Sequence, residues 1–583
     1  MAPSLVLVAV ESVPRPCIQA LKLVVHRSWL REKAKRRSTP SSRCEVEESL
    51  SVSGDALSTI KRKSASRAVA FLNLTLFLVS PNRALAWFSL STTGGMPQGN
   101  LLKMIPLGNE EAVHLLREMM QSWRDWENGP NSSLLQGGLN NGGPVSLIYG
   151  FVLCFCGTLA TAASLGELAS MAPTSGGQYH WVSLLATGKW SVRASWITGW
   201  VSVLAWIAAT ATPAFLGATL LQGLFVLNDN SYVYQQFHGT LLYFAIILLA
   251  ILVNVFLIRF LPYLETLILI LHIGLFFALL VPLVYLAPQH SALFVFTDFE
   301  SRAGWNSRGI AWCVGLLTTA FPFTGYDGAC HMSEEIEQAE KVVPRALVTS
   351  VVLNGLLGFG FVIALLFSMG DLEKVLASPT GYPLIAIFHE ATQSTRATNA
   401  AICGIVASAI GSVLGLMASA SRTTWAFSRD RGLPFSQQLS HVNKRRAIPL
   451  NSILVTTTFL LLLGLINLWN TNAFLAIAGV ATVALYFTYL MPIALLLMRR
   501  LRGDEIKFGP WKLGRWGLAI NLFSVCYTIF TSIFMFFPAV IPVTRGNFNW
   551  TSVVFIGTLA ISGVSWLVFG MKSFTGPVRE TLS

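Results

Sequence analysis

The chain has 583 residues, of which 53% are hydrophobic and only 12% are charged. A soluble globular protein carries about 25% charged residues, so this composition argues against a soluble protein and indicates a helical protein with many membrane spans. The net charge of +13 would suit nucleic-acid binding, but 13 of the 41 Lys and Arg residues lie within residues 1–67. Most of the others fall in a few loops, which is typical of membrane topology, and no nucleic-acid partner is predicted.

Residues 1–67 are polar and basic, which predicts a disordered cytoplasmic tail. The apolar residues 5–10 have no positive residue before them, so no signal peptide is predicted. The 8 cysteines show no CxxC pair and no zinc-type spacing. No cofactor and no metal site is therefore expected.

Hydropathy predicts eleven membrane spans after residue 144, because each run is apolar and close to the length that a bilayer requires. The predicted spans are 145–165, 196–220, 241–258, 267–286, 310–336, 347–367, 400–420, 453–468, 475–497, 518–537 and 553–569. Residues 347–367 and 400–420 are expected to be consecutive crossings. The predicted fold is an all-α polytopic membrane bundle.

Loop charges orient these spans. Alternate loops, starting with the loop after the first clear span, hold 19 basic residues, whereas the loops of the opposite side hold 5. The richer side is predicted to be cytoplasmic, with both termini on that side. The sequon Asn549-Trp550-Thr551 falls on the poorer side, where a glycan acceptor is expected.

The fifth predicted span contains helix-breaking residues. The apolar run 310–320 is too short to cross a bilayer, so the crossing has to continue through Pro322, Gly325 and Gly328. Backbone that unwinds at membrane depth survives where it lines a cavity or is buried in protein. A broken helix with a carboxylate at the break is how many secondary transporters build a binding site. A structural helix with a proline kink is the alternative.

The parity of the spans leaves a difficulty near the N-terminus. Eleven spans and a cytoplasmic C-terminus place residue 143 outside, yet the basic tail belongs inside. The candidate for one more crossing is 69–89, which Pro81-Asn82-Arg83 interrupts, and residues 115–127 carry five charges. We therefore expect four regions: the tail 1–67, an atypical segment 68–143 replacing the first span, the core 144–571 and the cytoplasmic tail 572–583. A wrongly assigned exon boundary is favoured as the explanation over a decayed copy.

Three motifs carry a family resemblance. The first runs from Leu168 to Trp181, the second is the broken span ending in His331-Met332-Ser333-Glu334-Glu335, and the third runs from Ser421 to Pro434. In this order and spacing they resemble the amino acid–polyamine–organocation transporters, most closely the fungal amino acid/choline permease branch. The resemblance covers about three quarters of the chain.

The resemblance implies twelve spans, with the first ten in two inverted five-helix repeats and the first and sixth helices unwound around the substrate. Phe323, Thr324, Gly325 and Tyr326 match the unwound segment, and Asp327 matches an acidic or polar position beside it. At such a break, free carbonyl groups favour an ammonium group and free N–H groups favour a carboxylate. The rings of Phe323 and Tyr326 add cation–π contact with an amine.

The function that follows is secondary transport, with proton coupling, of an amino acid, choline-like amine, GABA or polyamine across the plasma membrane. A nutrient sensor or an inactive paralogue on the same fold is the alternative. A membrane enzyme is not favoured, since the sequence has no nucleophile–base constellation.

The remaining motif residues have structural interpretations. Pro173, Gly176, Gly177 and Tyr179 are expected to shape a cytoplasmic loop. Glu334 is expected to pair with Lys341 or Arg345, and Glu167 and Glu265 to face water. His331 with Glu334 and Glu335 resembles a metal motif only faintly, because a second histidine is missing. Interfacial ion pairs are expected from Arg422, Arg429 and Asp430.

Overall fold

The structure is a computed structural model and describes residues 132–577, apart from 230, 444–447, 469–472 and 545–546. The predicted basic tail, the candidate crossing 69–89, the charged stretch 115–127 and the last residues of the C-terminal tail lie outside the described residues.

Most of the described part of the chain is helical. The first helices are α1 (Ser132–Asn140), α2 (Gly143–Met171), α3 (Gln178–Leu185), α4 (Lys189–Asn228), α5 (Gln236–Phe256), α6 (Leu261–Leu286) and α7 (Ala292–Thr297). The middle of the chain forms α8 (Arg308–Gly315), α9 (Leu317–Ala320), α10 (Gly328–His331), α11 (Ala339–Phe367), α12 (Leu372–Leu376) and α13 (Pro383–Thr392). The last are α14 (Thr395–Arg429), α15 (Ser436–Leu439), α16 (Leu450–Leu465), α17 (Ala473–Arg502), α18 (Gly517–Met535), α19 (Thr551–Ser565) and α20 (Met571–Ser573).

Ten of these helical segments are long and apolar enough to cross a membrane. They correspond to ten of the predicted spans, and the interrupted series α8 to α10 occupies the position of the other one. No strand forms among the residues described, where only two isolated bridges occur. The prediction of an all-α polytopic membrane protein is thus confirmed.

Three pairs of long helices that pack together share a constant offset in the order of crossings. Helix α2 packs against α11, α4 against α14, and α5 against α16. In each pair the two members are five crossings apart, so they run in opposite directions through the bilayer. Two inverted five-helix repeats require this pairing, which supports the arrangement that the resemblance implies.

Contacts between loops divide them into two groups at opposite ends of the helices. At one end Arg429 pairs with Glu334, and the Trp511 N–H donates to Ser170 Oγ over 3.0 Å. At the other end the Asn141 amide donates to the Ala539 carbonyl over 3.0 Å. The first group contains the basic loops, and the second contains the poorly charged loops. We call these the inner and the outer end.

Helix α1 lies within the segment that the sequence analysis treats as atypical. Its 9 residues span about 14 Å, roughly half of a bilayer core. Leu135 and Leu139 are buried, and Gly138 brings its backbone against Thr318 of α9. Helix α1 therefore packs beside the outer half of the broken helix. An inner half before α1 would be formed by residues outside the described part of the chain.

Two expected water-facing carboxylates are buried instead. Glu167 is 1% exposed, because the loop after α17 folds over it: Arg500 Nη2 lies 2.6 Å from one oxygen and the Leu513 N–H donates to the other. Glu265 is 4% exposed. It lies one turn before Ile268, which packs against Gly411 of α14, so close helix packing covers this face of α6. The position of Glu167 and Glu265 near helix ends gave no indication of the contacts that bury them.

Candidate functional site

The broken helix departs from regular geometry at four residues. A 3-10 turn, Phe321–Phe323, closes the outer half, and Thr324 is extended with φ −96° and ψ 163°. Gly325 has φ +85°, a region that a side chain disfavours, and α10 begins only at Gly328. Pro322 contributes by removing a backbone donor. The predicted break is thus present, at residues 324–327.

The residues predicted to bind substrate are all found at this break, deep in the protein. Phe323, Thr324, Tyr326 and Asp327 are buried. Phe323 packs against Phe151 of α2, with ring centroids 4.9 Å apart. The Phe321 carbonyl at the end of the outer half accepts two hydrogen bonds, from the Thr324 N–H over 2.9 Å and from the Thr324 hydroxyl over 2.7 Å.

Asp327 is fully buried and has neutral hydrogen-bond donors on both oxygens. Gln178 Nε2 donates to Oδ2 over 2.5 Å, and the Tyr489 hydroxyl donates to Oδ1. His331 Nε2 lies 3.6 Å from Oδ2. Hydrogen bonds of this kind stabilise a buried carboxylate without neutralising it. The break therefore contains a buried carboxyl group held by α3 and α17.

Gln178, Tyr489 and His331 were missed as site residues by the sequence analysis. Gln178 and His331 lie inside two of the motifs that carry the resemblance, so their place in the sequence was a usable signal. Tyr489 lies in an apolar span, where a tyrosine gives no indication of what its hydroxyl contacts.

Two buried polar atoms next to Asp327 have no hydrogen-bond partner among the described residues. They are the Tyr326 hydroxyl oxygen and Gln178 Oε1. The Tyr326 ring packs against that of Tyr489, with centroids 5.5 Å apart. Leaving a buried polar group unpaired costs about 1–3 kcal/mol, and such groups are commonly satisfied by a ligand or water. This arrangement can therefore accept a small polar solute.

The three motif loops meet at the inner end, directly below the break. Glu334 accepts hydrogen bonds from the Ser175 N–H and hydroxyl, and Arg429 approaches both of its oxygens at 3.3 Å. The Tyr179 hydroxyl donates to Asp430 over 2.7 Å. The prediction that Glu334 pairs with Lys341 or Arg345 is therefore wrong. Only the fold brings the end of α14 to Glu334, although the two residues are 95 positions apart in the chain.

The glycine motif lies in a tight turn at the inner end. Residues 175–177 form a turn, and Gly177 has φ +55°. Pro173 and Gly176 lie in the same loop, and Tyr179 is buried in the first turn of α3. Arg422 is half-buried in α14, about two turns before Arg429.

A cavity opens at the outer end, above the break. Its volume is about 50 Å³, it lies between α1, α9, α18 and the loop before α19, and its lining includes Asn141, Leu317, Thr318 and Asn549. Thr318 lies little more than one turn from the 3-10 segment of the break. The inner end of the same helix is covered by the loop at 175–177. The cavity thus lies on the outer half of the broken helix, and the break itself is buried below it.

Comparison with known proteins places the chain in a family. A sequence profile described as amino acid permease matches residues 131–561. A Macrophomina phaseolina protein that carries an amino acid/polyamine transporter name is 36% identical, over 72% of this chain and 93% of the relative. The choline transporter of Saccharomyces cerevisiae is 32% identical, over 76% of this chain and 78% of its own. Amino-acid permease BAT1 of Arabidopsis thaliana is 31% identical, over 76% and 89%. The chain is a multi-pass membrane protein that belongs to the amino acid permease family.

Proposed function

We propose that the chain is a secondary active carrier of a small nitrogenous solute, an amino acid or a choline-like amine, and that it couples transport to protons. The observation that carries this proposal is the buried carboxylate of Asp327 at a helix break. A rigid structural helix has no need of an anion at membrane depth, where a charge is costly.

The substrate-binding residues in this proposal are Phe323, Thr324, Gly325, Tyr326 and Asp327. Carbonyl groups at the end of the outer half-helix and the Asp327 carboxylate favour an ammonium group. The free Tyr326 hydroxyl and its ring supply a hydrogen bond and a cation–π contact. The names of the relatives, an amino acid permease and a choline transporter, agree with solutes of this class.

Two finer parts of the proposal rest on the resemblance. The coupling ion is a proton, and the membrane is the plasma membrane. Both are tested by measuring uptake in cells over a range of external pH, with the protein located by a fluorescent fusion. Uptake that is unchanged when the proton gradient is dissipated would contradict proton coupling.

Counterflow in proteoliposomes tests whether the chain is a carrier. Vesicles are loaded with unlabelled choline, GABA, alanine or spermidine, and entry of the same labelled solute is followed. A carrier exchanges at least one of them. Binding of a solute without exchange would favour the sensor interpretation. An inactive paralogue would show neither, and the five charges of residues 115–127 are the feature that favours this alternative.

Gly325→Leu tests whether the break is the site. Gly325 and Gly381 both have positive φ, 85° and 69°, so the same substitution strains both backbones similarly. A side chain at Gly381 meets open space. We expect counterflow to fall at least tenfold in Gly325→Leu and less than twofold in Gly381→Leu, at equal protein levels. Equal loss in both variants would remove the break from the site.

A further inference from the structure

The inner half of the broken helix is bound to residues 175–178 by three side chains, and we call these residues the 175–178 segment. Asp327 accepts a hydrogen bond from Gln178, His331 faces the Ser175 carbonyl, and Glu334 accepts from the Ser175 N–H and hydroxyl. These contacts cover the inner end of the break. Any route from the break to the inner end requires them to be released.

His331 has a defined protonation state in this arrangement. Its Nδ1 lies 3.0 Å from the Ser175 carbonyl oxygen, which can only accept, so Nδ1 has to carry a hydrogen. Its Nε2 accepts from the indole N–H of Trp206 on α4 over 3.0 Å, so Nε2 has to present a lone pair. The imidazole is therefore neutral. It is 1% exposed and lies directly against Gly177, where an added Cβ would be 3.1 Å from the ring.

A proton arriving at Nε2 would change two contacts at once. The new N–H cannot accept from Trp206, so the indole hydrogen bond is lost. The imidazolium gains a carboxylate partner, because Asp327 Oδ2 lies 3.6 Å from Nε2. That same oxygen holds Gln178. Bringing Nε2 from 3.6 Å to hydrogen-bond distance of this oxygen moves the ring, which strains its own Nδ1 contact with the Ser175 carbonyl and crowds the Gln178 hydrogen bond. Both contacts hold the 175–178 segment, so the movement weakens that hold.

The other titratable and charged groups on the elements around the imidazole come from its own segment and from four further helices. They are Cys330 and Glu334 on its own segment, Tyr179 on α3, Tyr489 on α17, Arg429 and Asp430 at the inner end of α14, and Glu340, Lys341 and Arg345 in the first turns of α11. Helix α4 presents Trp206, which does not titrate. Among the described residues, Asp327 is the carboxylate within ion-pair distance of His331. The charge that responds to a proton on His331 is therefore that of Asp327.

The geometry points to His331 as the proton-binding site of this carrier, with Trp206 and Asp327 as the alternative partners of Nε2. A proton taken up from the outer side forms the Nε2–H bond and moves the ring from Trp206 to Asp327. Loss of the proton to the inner side restores the neutral ring and the closed 175–178 segment. Histidine commonly titrates between pH 5 and 8, which suits a proton gradient. This inference rests on the carrier function proposed above.

Proton uptake in proteoliposomes, measured with an enclosed pH-sensitive dye, tests the coupling. The variant His331→Asn retains an amide that can donate to the Ser175 carbonyl but has no titratable group, and His441→Asn in an exposed inner loop is its matched control. We expect the wild type and His441→Asn to take up protons with whichever of the four solutes they exchange. In His331→Asn the number of protons taken up per solute transported should fall at least tenfold, whatever the rate of solute transport by this variant. Undiminished proton uptake by His331→Asn would overturn the inference.

A second variant tests the partner of Nε2. Trp206→Phe removes the donor that favours the neutral ring, so proton binding becomes easier. The pH profile of uptake should then move to higher pH by between half a unit and one unit, as expected for one hydrogen bond. A purely structural Trp206 would lower uptake equally at every pH, and such a result would count against the inference.

A third measurement is independent of transport. Cys330 is buried beneath the 175–178 segment, with its Cβ 3.9 Å from the position of a Cβ on Gly177. Labelling of Cys330 by N-ethylmaleimide, read by mass spectrometry at pH 5.5 and 7.5, reports opening of the segment. The ratio of labelling at pH 5.5 to labelling at pH 7.5 should be at least threefold higher in the wild type than in His331→Asn. The change of the thiolate fraction with pH affects both proteins alike and cancels in this comparison. Equal ratios would overturn the inference even if no solute were exchanged.

Discussion

Asn549 bonds to backbone groups of two neighbouring helices. Its amide nitrogen donates to the carbonyls of Met535 and Phe537 over 2.9 and 2.7 Å, and its oxygen accepts from the Thr551 N–H over 3.0 Å. Thr551 is buried at the start of α19. The sequon at 549–551 thus closes the end of α18 and begins α19. A glycan on the amide nitrogen would have to displace these contacts.

We predict that Asn549 carries no glycan and that Asn549→Asp destabilises the protein. The aspartate keeps the oxygen that accepts from Thr551 but loses both amide donors, at a cost of about 1–2 kcal/mol for each bond. Treatment of the purified protein with a glycosidase should leave its electrophoretic mobility unchanged, and thermal unfolding in detergent should occur at lower temperature in the variant. A mobility shift on treatment would show that the sequon is used.

At the scale of elements, glycines decide how closely the long helices approach. Helix α11 packs on α2 through Gly355, where an added Cβ would lie 2.1 Å from the Phe155 ring. Phe155 in turn stacks on Phe323 of the break, with centroids 6.1 Å apart. Small residues at helix interfaces are characteristic of membrane bundles, because they allow backbones to come close. The α2–α11 interface thus supports one wall of the break.

Gly355→Leu should disturb this interface, whereas Gly360→Leu on the same helix should not, because a side chain at Gly360 meets open space. The added volume has to displace Phe155, and overpacking of this kind costs about 1–3 kcal/mol. Fluorescence-detected size-exclusion chromatography after stepwise heating should show a lower midpoint for Gly355→Leu alone. Equal unfolding midpoints for the two variants would mean that α2 and α11 lie farther apart in the protein than in the structure.

At the scale of the whole molecule, loop contacts and loop charges agree. The loops that meet at the inner end are the basic ones, and the positive-inside rule places basic loops in the cytoplasm. Lys374 and Glu505 are exposed in loops at the outer and inner ends, respectively. They therefore offer a test of orientation.

We expect Lys374→Cys to react with a membrane-impermeant maleimide on intact cells. Glu505→Cys should react only after permeabilisation, because its loop belongs to the basic side. The parent protein, treated in the same way, corrects for reaction of the native cysteines. Labelling of Glu505→Cys on intact cells would reverse the predicted topology.

The sequence alone determined the number and order of the membrane spans after residue 144, because a bilayer span requires about 20 apolar residues and the loops between spans are polar. It also determined the break, since Pro322 and Gly325 change the backbone locally, whatever surrounds them. Phe323 to Asp327 could be predicted as a candidate site for the same reason, and their role in substrate binding stays a prediction.

The tertiary structure decided which side chains meet. Gln178, His331 and Tyr489 converge on Asp327 from three elements, Glu334 binds Arg429 rather than a neighbour in sequence, and the sequon folds into a helix junction. Such contacts depend on how the helices are rotated about their axes and how they pack. The hydropathy of a span does not report its rotation. A span of apolar residues specifies that a helix crosses the membrane, but only its neighbours specify which polar atom on it finds a partner.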